Sequence, residues 1–144
     1  MFETILYPTD FSDVSKKALH AIKQLKASGA RHVLILHVID EQVLSAVRAS
    51  RLVKPDAWEQ NIRETVENDM GMIEKELREV GFQVRTMVKT GVPLREILGA
   101  EQREDVSLIV IGSHGKSNLE EVLLGSVSEK LIRKCAKPIL VIKR

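Results

Sequence analysis

Short apolar runs constrain this chain more than any other feature. Val33-Leu34-Ile35-Leu36, Leu108-Ile109-Val110-Ile111 and Ile139-Leu140-Val141-Ile142 each hold four apolar residues in a row between polar or turn-forming neighbours. Four residues are too few for a buried helix and enough for a strand. The run within His32–Val38 is continuous, which is the pattern of a parallel strand buried on both faces. Between the runs the period changes to that of helices. Val14, Ala18, Ala21, Ile22 and Leu25 recur at helical spacing, as do Ile62, Val66, Met70, Ile73, Leu77 and Val80. Strands that alternate with helices imply a parallel α/β sheet covered on both faces. In such sheets ligands sit beyond the carboxyl ends of the strands, where the winding reverses.

Residues 109–130, IVIGSHGKSNLEEVLLGSVSEK, carry the clearest chemical signal. The strand run stops at Gly112, Gly115 follows, and Gly125-Ser126 precede a helical pattern carrying Val127, Leu131 and Cys135. This reads as strand, loop, helix. Glycine turns where other residues clash and lets a ligand approach the backbone closely. Ser126 with Glu129 fits a capping box. A helix start presents unpaired N–H groups and partial positive charge, which suit phosphate. Gly115-Lys116-Ser117 is not a P-loop, because Val110 stands where that motif needs its first glycine.

Along the rest of the chain, residues 3–7 are a strand candidate ended by Pro8-Thr9-Asp10. Asp10, Ser12 and Asp13 all suit the cap of the first helix. Ser28-Gly29 stops that helix, and His32–Val38 is the second strand. Residues 40–57 are expected to form a mobile insertion, in which Val43, Leu44 and Val47 hint at a helix. A long helix over about 57–80 ends at Gly81. Residues 82–89 mix polar and apolar positions, as at a sheet edge, and Gly91-Val92-Pro93 turn into a short helix with Leu94, Ile97 and Leu98. The fourth strand is placed at 107–111 and the last after Pro138.

Composition narrows the possible partners. The 144 residues suit one domain. Net charge is only +2, with both signs interspersed, so nucleic-acid binding has no electrostatic footprint. No stretch approaches the ~18 apolar residues of a membrane span. The opening MFETILYPTD lacks the sections of a signal peptide, and Cys135 is the only cysteine, so a cytoplasmic location is expected. His20, His32 and His37 lie on separate elements without metal-ligand spacing, and Met70, Met72 and Met87 read as core filler.

Taken together, TILYPTDFSDVSKKAL, LILHV and IVIGSHGKSNLEEVLLGSVSEKLIRKCAKPILVI resemble the universal stress protein family in its nucleotide-binding branch. The spacing Gly112, Gly115, Gly125, Ser126 matches the family's glycine pattern without a break, and only residues 40–57 are poorly covered. The resemblance implies a single Rossmann-like α/β domain over residues 1–144. Its core would be an open five-stranded parallel sheet in the order 3-2-1-4-5, with helices on both faces. It implies ATP, with ADP or AMP as alternatives, bound where the strand order reverses. Asp10 would meet the ribose, with Pro8 and Thr9 along the same wall. Backbone groups of Val38 would meet the adenine edge. Gly112, His114 and Gly115 would pass beneath ribose and phosphates, and Gly125, Ser126, Val127 and Ser128 would donate to the phosphates. Mg2+ would be held mainly by phosphate oxygens.

The plainer readings stand beside these. Asp10 also suits a helix cap, His114 a spacer whose backbone alone matters, and Lys116 a surface position. The expected function is a nucleotide-dependent regulatory module in the stress response. The alternative is a slow ATPase or nucleotidyl-transfer enzyme, but the glycine motif holds no Asp or Arg in an obvious catalytic position. A scaffold without ligand is disfavoured by the intact motif. The last strand, Ile139, Leu140, Val141 and Ile142, would be a sheet edge that is apolar throughout, guarded only by Pro138 and Lys143-Arg144. A homodimer paired along that strand is therefore expected, and the resemblance points to the same surface.

Overall fold

The computed structural model describes residues 2–52, 54–113 and 126–143. The strands are β1 (Thr4–Pro8), β2 (His32–Asp40), β3 (Gln83–Gly91), β4 (Leu108–Gly112) and β5 (Ile139–Ile142). The helices are α1 (Asp13–Leu25), α2 (Glu41–Ser50), α3 (Pro55–Val80), α4 (Pro93–Arg103) and α5 (Ser126–Lys134). The strands form one sheet in the order β3-β2-β1-β4-β5, and all neighbours are parallel. This is the architecture expected from the sequence.

The chain winds outward from β1 to β3, then returns to the other side of β1 for β4 and β5. Because parallel crossovers are right-handed, reversing the direction also moves the helices to the opposite face. The two packed clusters follow that rule. Ile5, Tyr7, Val33, Ile35 and Val110 pack with Ala18 and Ile22 of α1 and with Met70, Ile73 and Leu77 of α3. The alternate strand residues Leu6, Leu34, Leu36, Ile109 and Ile111 pack with Ile97 and Ala100 of α4 and Leu131 of α5. Period-two alternation thus sends each continuous apolar run into both cores. Burial of one fully enclosed aliphatic side chain contributes ~1.5–3 kcal/mol, which explains why these runs carry no polar residue.

Several boundaries differ from the expected ones. Ser12 caps α1 by accepting from the Ser15 N–H, so neither Asp10 nor Asp13 is the cap. Residues 41–50 form a regular helix capped by Asp40, with Leu44 as its buried residue. Pro55 starts α3 at its first turn, where a missing N–H costs nothing. β3 has only Val84 and Gly91 buried, as suits a sheet edge. Met70 and Met72 share α3, yet Met70 is buried while Met72 is 71% exposed, so Met72 is not core filler. α5 begins at Ser126 itself, and Glu129 pairs with Arg133 at 2.8 Å. The Ser126–Glu129 capping box is therefore not how this helix starts.

Candidate functional site

β1 and β4 are registered only at Ile5↔Leu108 and Leu6↔Ile109. The reason lies in Pro8. The Thr9 N–H donates to the Leu36 carbonyl of β2 at 2.9 Å, so Pro8, one residue earlier, faces β4. Proline has no N–H, so that ladder cannot continue. The two strands part at the reversal of the sheet, and a cavity of about 230 Å3 opens between their carboxyl ends.

The walls of the cavity differ in character. Leu36 and Val38 of β2, Pro93 and Ile97 of α4 and Ile111 of β4 supply an apolar side. Pro8, Thr9 and Asp10 at the end of β1, with Ser15 of α1, form a second wall. Gly112 and the first turn of α5, Ser126, Val127 and Ser128, close the third. Asp10 is the only charged side chain among these described lining residues. The N–H groups of Ser126, Val127 and Ser128 belong to the first turn of α5, where intrahelical partners are missing. Val38 offers a different backbone feature. The Leu36 carbonyl points toward β1, so the N–H and C=O of Val38 point the same way, past the place where β1 ends.

A buried hydroxyl network supports the second wall. The Tyr7 hydroxyl donates to the Ser15 carbonyl at 2.5 Å and lies 3.0 Å from the Ser15 hydroxyl. The Ser15 and Thr9 hydroxyls are hydrogen-bonded to each other. Burial pushes the Tyr7 phenol pKa up, opposed by its hydrogen bond to Ser15. Thr9 also accepts from the Phe11 N–H at 3.0 Å, and Asp10 accepts from the Ser12 N–H at 2.9 Å. Phe11 sits at φ 65°, a left-handed conformation that costs an L-residue about 1–2 kcal/mol. Its ring stacks on His37, with centroids 4.7 Å apart and 25° between planes. His37 Nδ1 lies 2.8 Å from the Thr9 carbonyl oxygen.

Gly112 has a packing role as well as a place in the wall. A Cβ there would lie 2.9 Å from Val14 Cγ1 and 3.2 Å from both the Ser15 nitrogen and the Val14 carbonyl carbon. The absent side chain makes room for α1 rather than for a ligand. Ser128 is 4% exposed and donates its hydroxyl to the Gly112 carbonyl at 2.8 Å. That hydrogen is committed, so Ser128 faces an incoming group with its backbone N–H.

The structure therefore brings Pro8, Thr9, Asp10, Val38, Gly112, Ser126, Val127 and Ser128 to one cavity. His114, Gly115, Lys116 and Gly125 lie outside the described residues. Sequence reasoning missed Ser15, Leu36, Pro93, Ile97 and Ile111, which also line the cavity; Leu36 and Ile111 were read only as strand core. Ser15 carried a weak signal, three residues after Ser12 at a helix start. Nothing local marks Pro93 or Ile97, which arrive from the crossover helix. Among the described residues, no group of three or more His, Cys, Asp or Glu side chains is placed to hold a metal, and no helix is long and apolar enough to cross a membrane.

Comparison with known proteins places this arrangement in a family. The universal stress protein family profile matches residues 1–143. Universal stress protein MJ0577 of Methanocaldococcus jannaschii is 40% identical over 156 residues, covering 100% of this chain and 96% of its own. The solved structure of MJ0577 superposes with a TM-score of 0.91, covering 100% of this chain and 97% of that one. Universal stress protein YxiE of Bacillus subtilis is 34% identical over 148 residues, covering 99% of this chain and 100% of its own. Two more distant structures share the fold at 19% identity. One is a universal stress protein in complex with cAMP, with a TM-score of 0.70, covering 99% of this chain and 97% of that one. The other is an Arabidopsis thaliana family protein with AMP bound, with a TM-score of 0.64, covering 98% of this chain and 91% of that one. This chain belongs to the universal stress protein family.

Proposed function

We propose that this protein is an ATP-binding regulatory module whose nucleotide lies in the cavity between β1 and β4. The observation that carries the reading is the composition of that cavity: an apolar wall, one carboxylate and a helix start converge there. Leu36, Val38, Ile97 and Ile111 suit the faces of an adenine ring, and the backbone of Val38 that points past the end of β1 suits its hydrogen-bonding edge. The Asp10 carboxylate accepts from ribose hydroxyls, a charge-assisted contact. The phosphates lie at the start of α5, where the N–H groups of Ser126, Val127 and Ser128 and the helix dipole meet their charge. His114, Gly115 and Gly125 complete this segment in the proposal. Mg2+ binds through phosphate oxygens, in keeping with its preference for few protein ligands. Family relatives crystallised with AMP and with cAMP support an adenine nucleotide as the ligand.

The enzyme reading has less support. Phosphoryl transfer needs positioned charge around the reacting groups, and Asp10 stands alone among the described lining residues. We propose that occupancy, not turnover, is the signal. We also propose a homodimer through β5. Pro138 and Ile142 direct their carbonyls to β4, so Ile139 and Val141 direct N–H and C=O to the outer edge. Leu140 beside them is 37% exposed. The test is mass spectrometry of small molecules released from the purified protein, with Mg-ATP turnover measured on the same sample. An adenine nucleotide in the released fraction and turnover far below the ~1–100 s⁻¹ of kinases are expected. Fast turnover abolished by one acidic substitution would make the protein an enzyme.

A further inference from the structure

The turn Thr9–Ser12 is held in a shape it would not adopt alone, and the restraint comes from β2. Phe11 is a bulky residue at φ 65°. Such a residue stays there only when its surroundings over-determine it. Two contacts from one side chain do so. The Thr9 carbonyl can only accept, so His37 Nδ1 carries the hydrogen of their 2.8 Å bond. The same imidazole stacks on the Phe11 ring at 4.7 Å. His37 thus grips the residues on either side of Asp10. The turn's own bonds, Phe11 N–H to Thr9 Oγ1 and Ser12 N–H to Asp10 Oδ1, then fix where the Asp10 carboxylate stands. His37 itself does not line the cavity.

We infer that His37 is a positioning residue for Asp10. Acting from the opposite face of the sheet through Thr9 and Phe11, it sets the carboxylate that selects a nucleotide with free ribose hydroxyls. This rests on the nucleotide reading above. It predicts a particular kind of loss. Removing the imidazole should weaken chiefly the ribose contact, because the Leu36 and Val38 side chains leave β2 on the other face and the start of α5 belongs to another element. A generic loss of fold would weaken every part of the ligand together.

The experiment measures dissociation constants for ATP and for 2′,3′-dideoxy-ATP in the wild type, His37→Ala, Asp10→Ala and the double variant. His37→Ala should weaken ATP by roughly 3- to 30-fold, which lies within the ~2- to 150-fold spanned by coupling between neighbouring residues. It should leave the dideoxy analogue within about 2-fold, and should add nothing in the Asp10→Ala background. Phe11→Leu, which keeps an apolar side chain but loses the ring stack, should shift ATP affinity in the same direction. Hydrogen exchange read without ligand supplies an independent check. The Phe11 and Ser12 amides should exchange faster in His37→Ala, while Leu34 in the core of β2 stays protected. Equal losses for the two nucleotides, or additivity with Asp10→Ala, would overturn the positioning role while leaving nucleotide binding intact. A wild type that binds neither nucleotide would overturn the nucleotide reading and the ribose role of Asp10 with it. Unchanged Phe11 and Ser12 exchange would overturn the grip on the turn in either case.

Discussion

Gly112→Ala separates two reasons for a glycine at the end of β4. If the glycine exists so that a ligand can approach, alanine should harm binding and spare stability. The structure argues otherwise, because the added Cβ meets Val14 Cγ1 at 2.9 Å and backbone atoms of Val14 and Ser15 at 3.2 Å. Val14 is 2% exposed and stiff about χ1, so it cannot swing clear. The N-terminal turn of α1 must instead move back by several tenths of an ångström. Overpacking of this kind costs ~1–3 kcal/mol. Replacing glycine returns ~0.4–1 kcal/mol through the unfolded state. The net effect is therefore a loss of about 1.3 kcal/mol at mid-range, between roughly 0 and 2.6 kcal/mol, and Tm should fall by about 4 °C, at most roughly 9 °C, for a domain of this length. ATP affinity should fall as well, since Ser15 moves with α1 and anchors Tyr7 and Thr9. A melt and a calorimetric titration of Gly112→Ala, Val14→Ala and their double variant decide the matter. The double variant should be less destabilised than the sum of the singles, by ~0.5 kcal/mol or more. A Gly112→Ala protein that melts like the wild type but has lost ATP, or strict additivity with Val14→Ala, would refute the packing argument.

Other expected outcomes are as direct. Asp10→Ala should weaken ATP by ~1.5–3 kcal/mol, about 10- to 150-fold, yet cost only ~1 kcal/mol of stability, because Ser12 and not Asp10 caps α1; titration beside a melt reads both, and unchanged affinity with a lower Tm would make Asp10 purely structural. Glu101 is 2% exposed and accepts from both the Ala136 and Lys137 N–H groups at 2.6 Å, so it fastens the turn between α5 and β5 to α4. Glu101→Ala should cost ~2–4 kcal/mol and Glu101→Gln about half of that, since an amide oxygen still accepts; equal denaturant midpoints for the two variants would contradict this. Leu140→Lys should place a charge at the proposed dimer edge and yield a monomer in sedimentation at micromolar concentration while Tm changes little; a retained dimer would move the interface elsewhere.

The sheet was legible because its signals are local. Four apolar residues in a row at 33–36 or 108–111 admit few structures, and alternation along them decides both cores at once. Gly81, in the left-handed conformation at φ 109°, ends α3 where a glycine stop was read. The helix at 41–50 was less legible because Leu44 is its only buried residue, so its apolar stripe is no longer than Val43, Leu44 and Val47. The capping box failed for a related reason: Glu129 has an equally good partner four residues ahead in Arg133. Within the site, Asp10 and Gly112 were legible as the ends of two strands at the reversal of the sheet, whereas Val38 and the role of each residue came through the family resemblance. The supports behind them were invisible from the sequence because they depend on long-range register. His37 reaches Thr9 only because Pro8 lies opposite Leu36 when β1 and β2 pair. Glu101 would pass for one more charge on a solvated helix until the turn of α5 into β5 is folded against it.

The central claim is that an adenine nucleotide occupies the cavity between β1 and β4. Amide chemical shifts recorded while Mg-ATP is added to the folded protein test it most directly. The account predicts saturable shifts at Asp10, Val38, Gly112, Ser126, Val127 and Ser128, with the amides of β3 and α3 unmoved. Saturable shifts confined to other surfaces, or none at millimolar ATP, would contradict it.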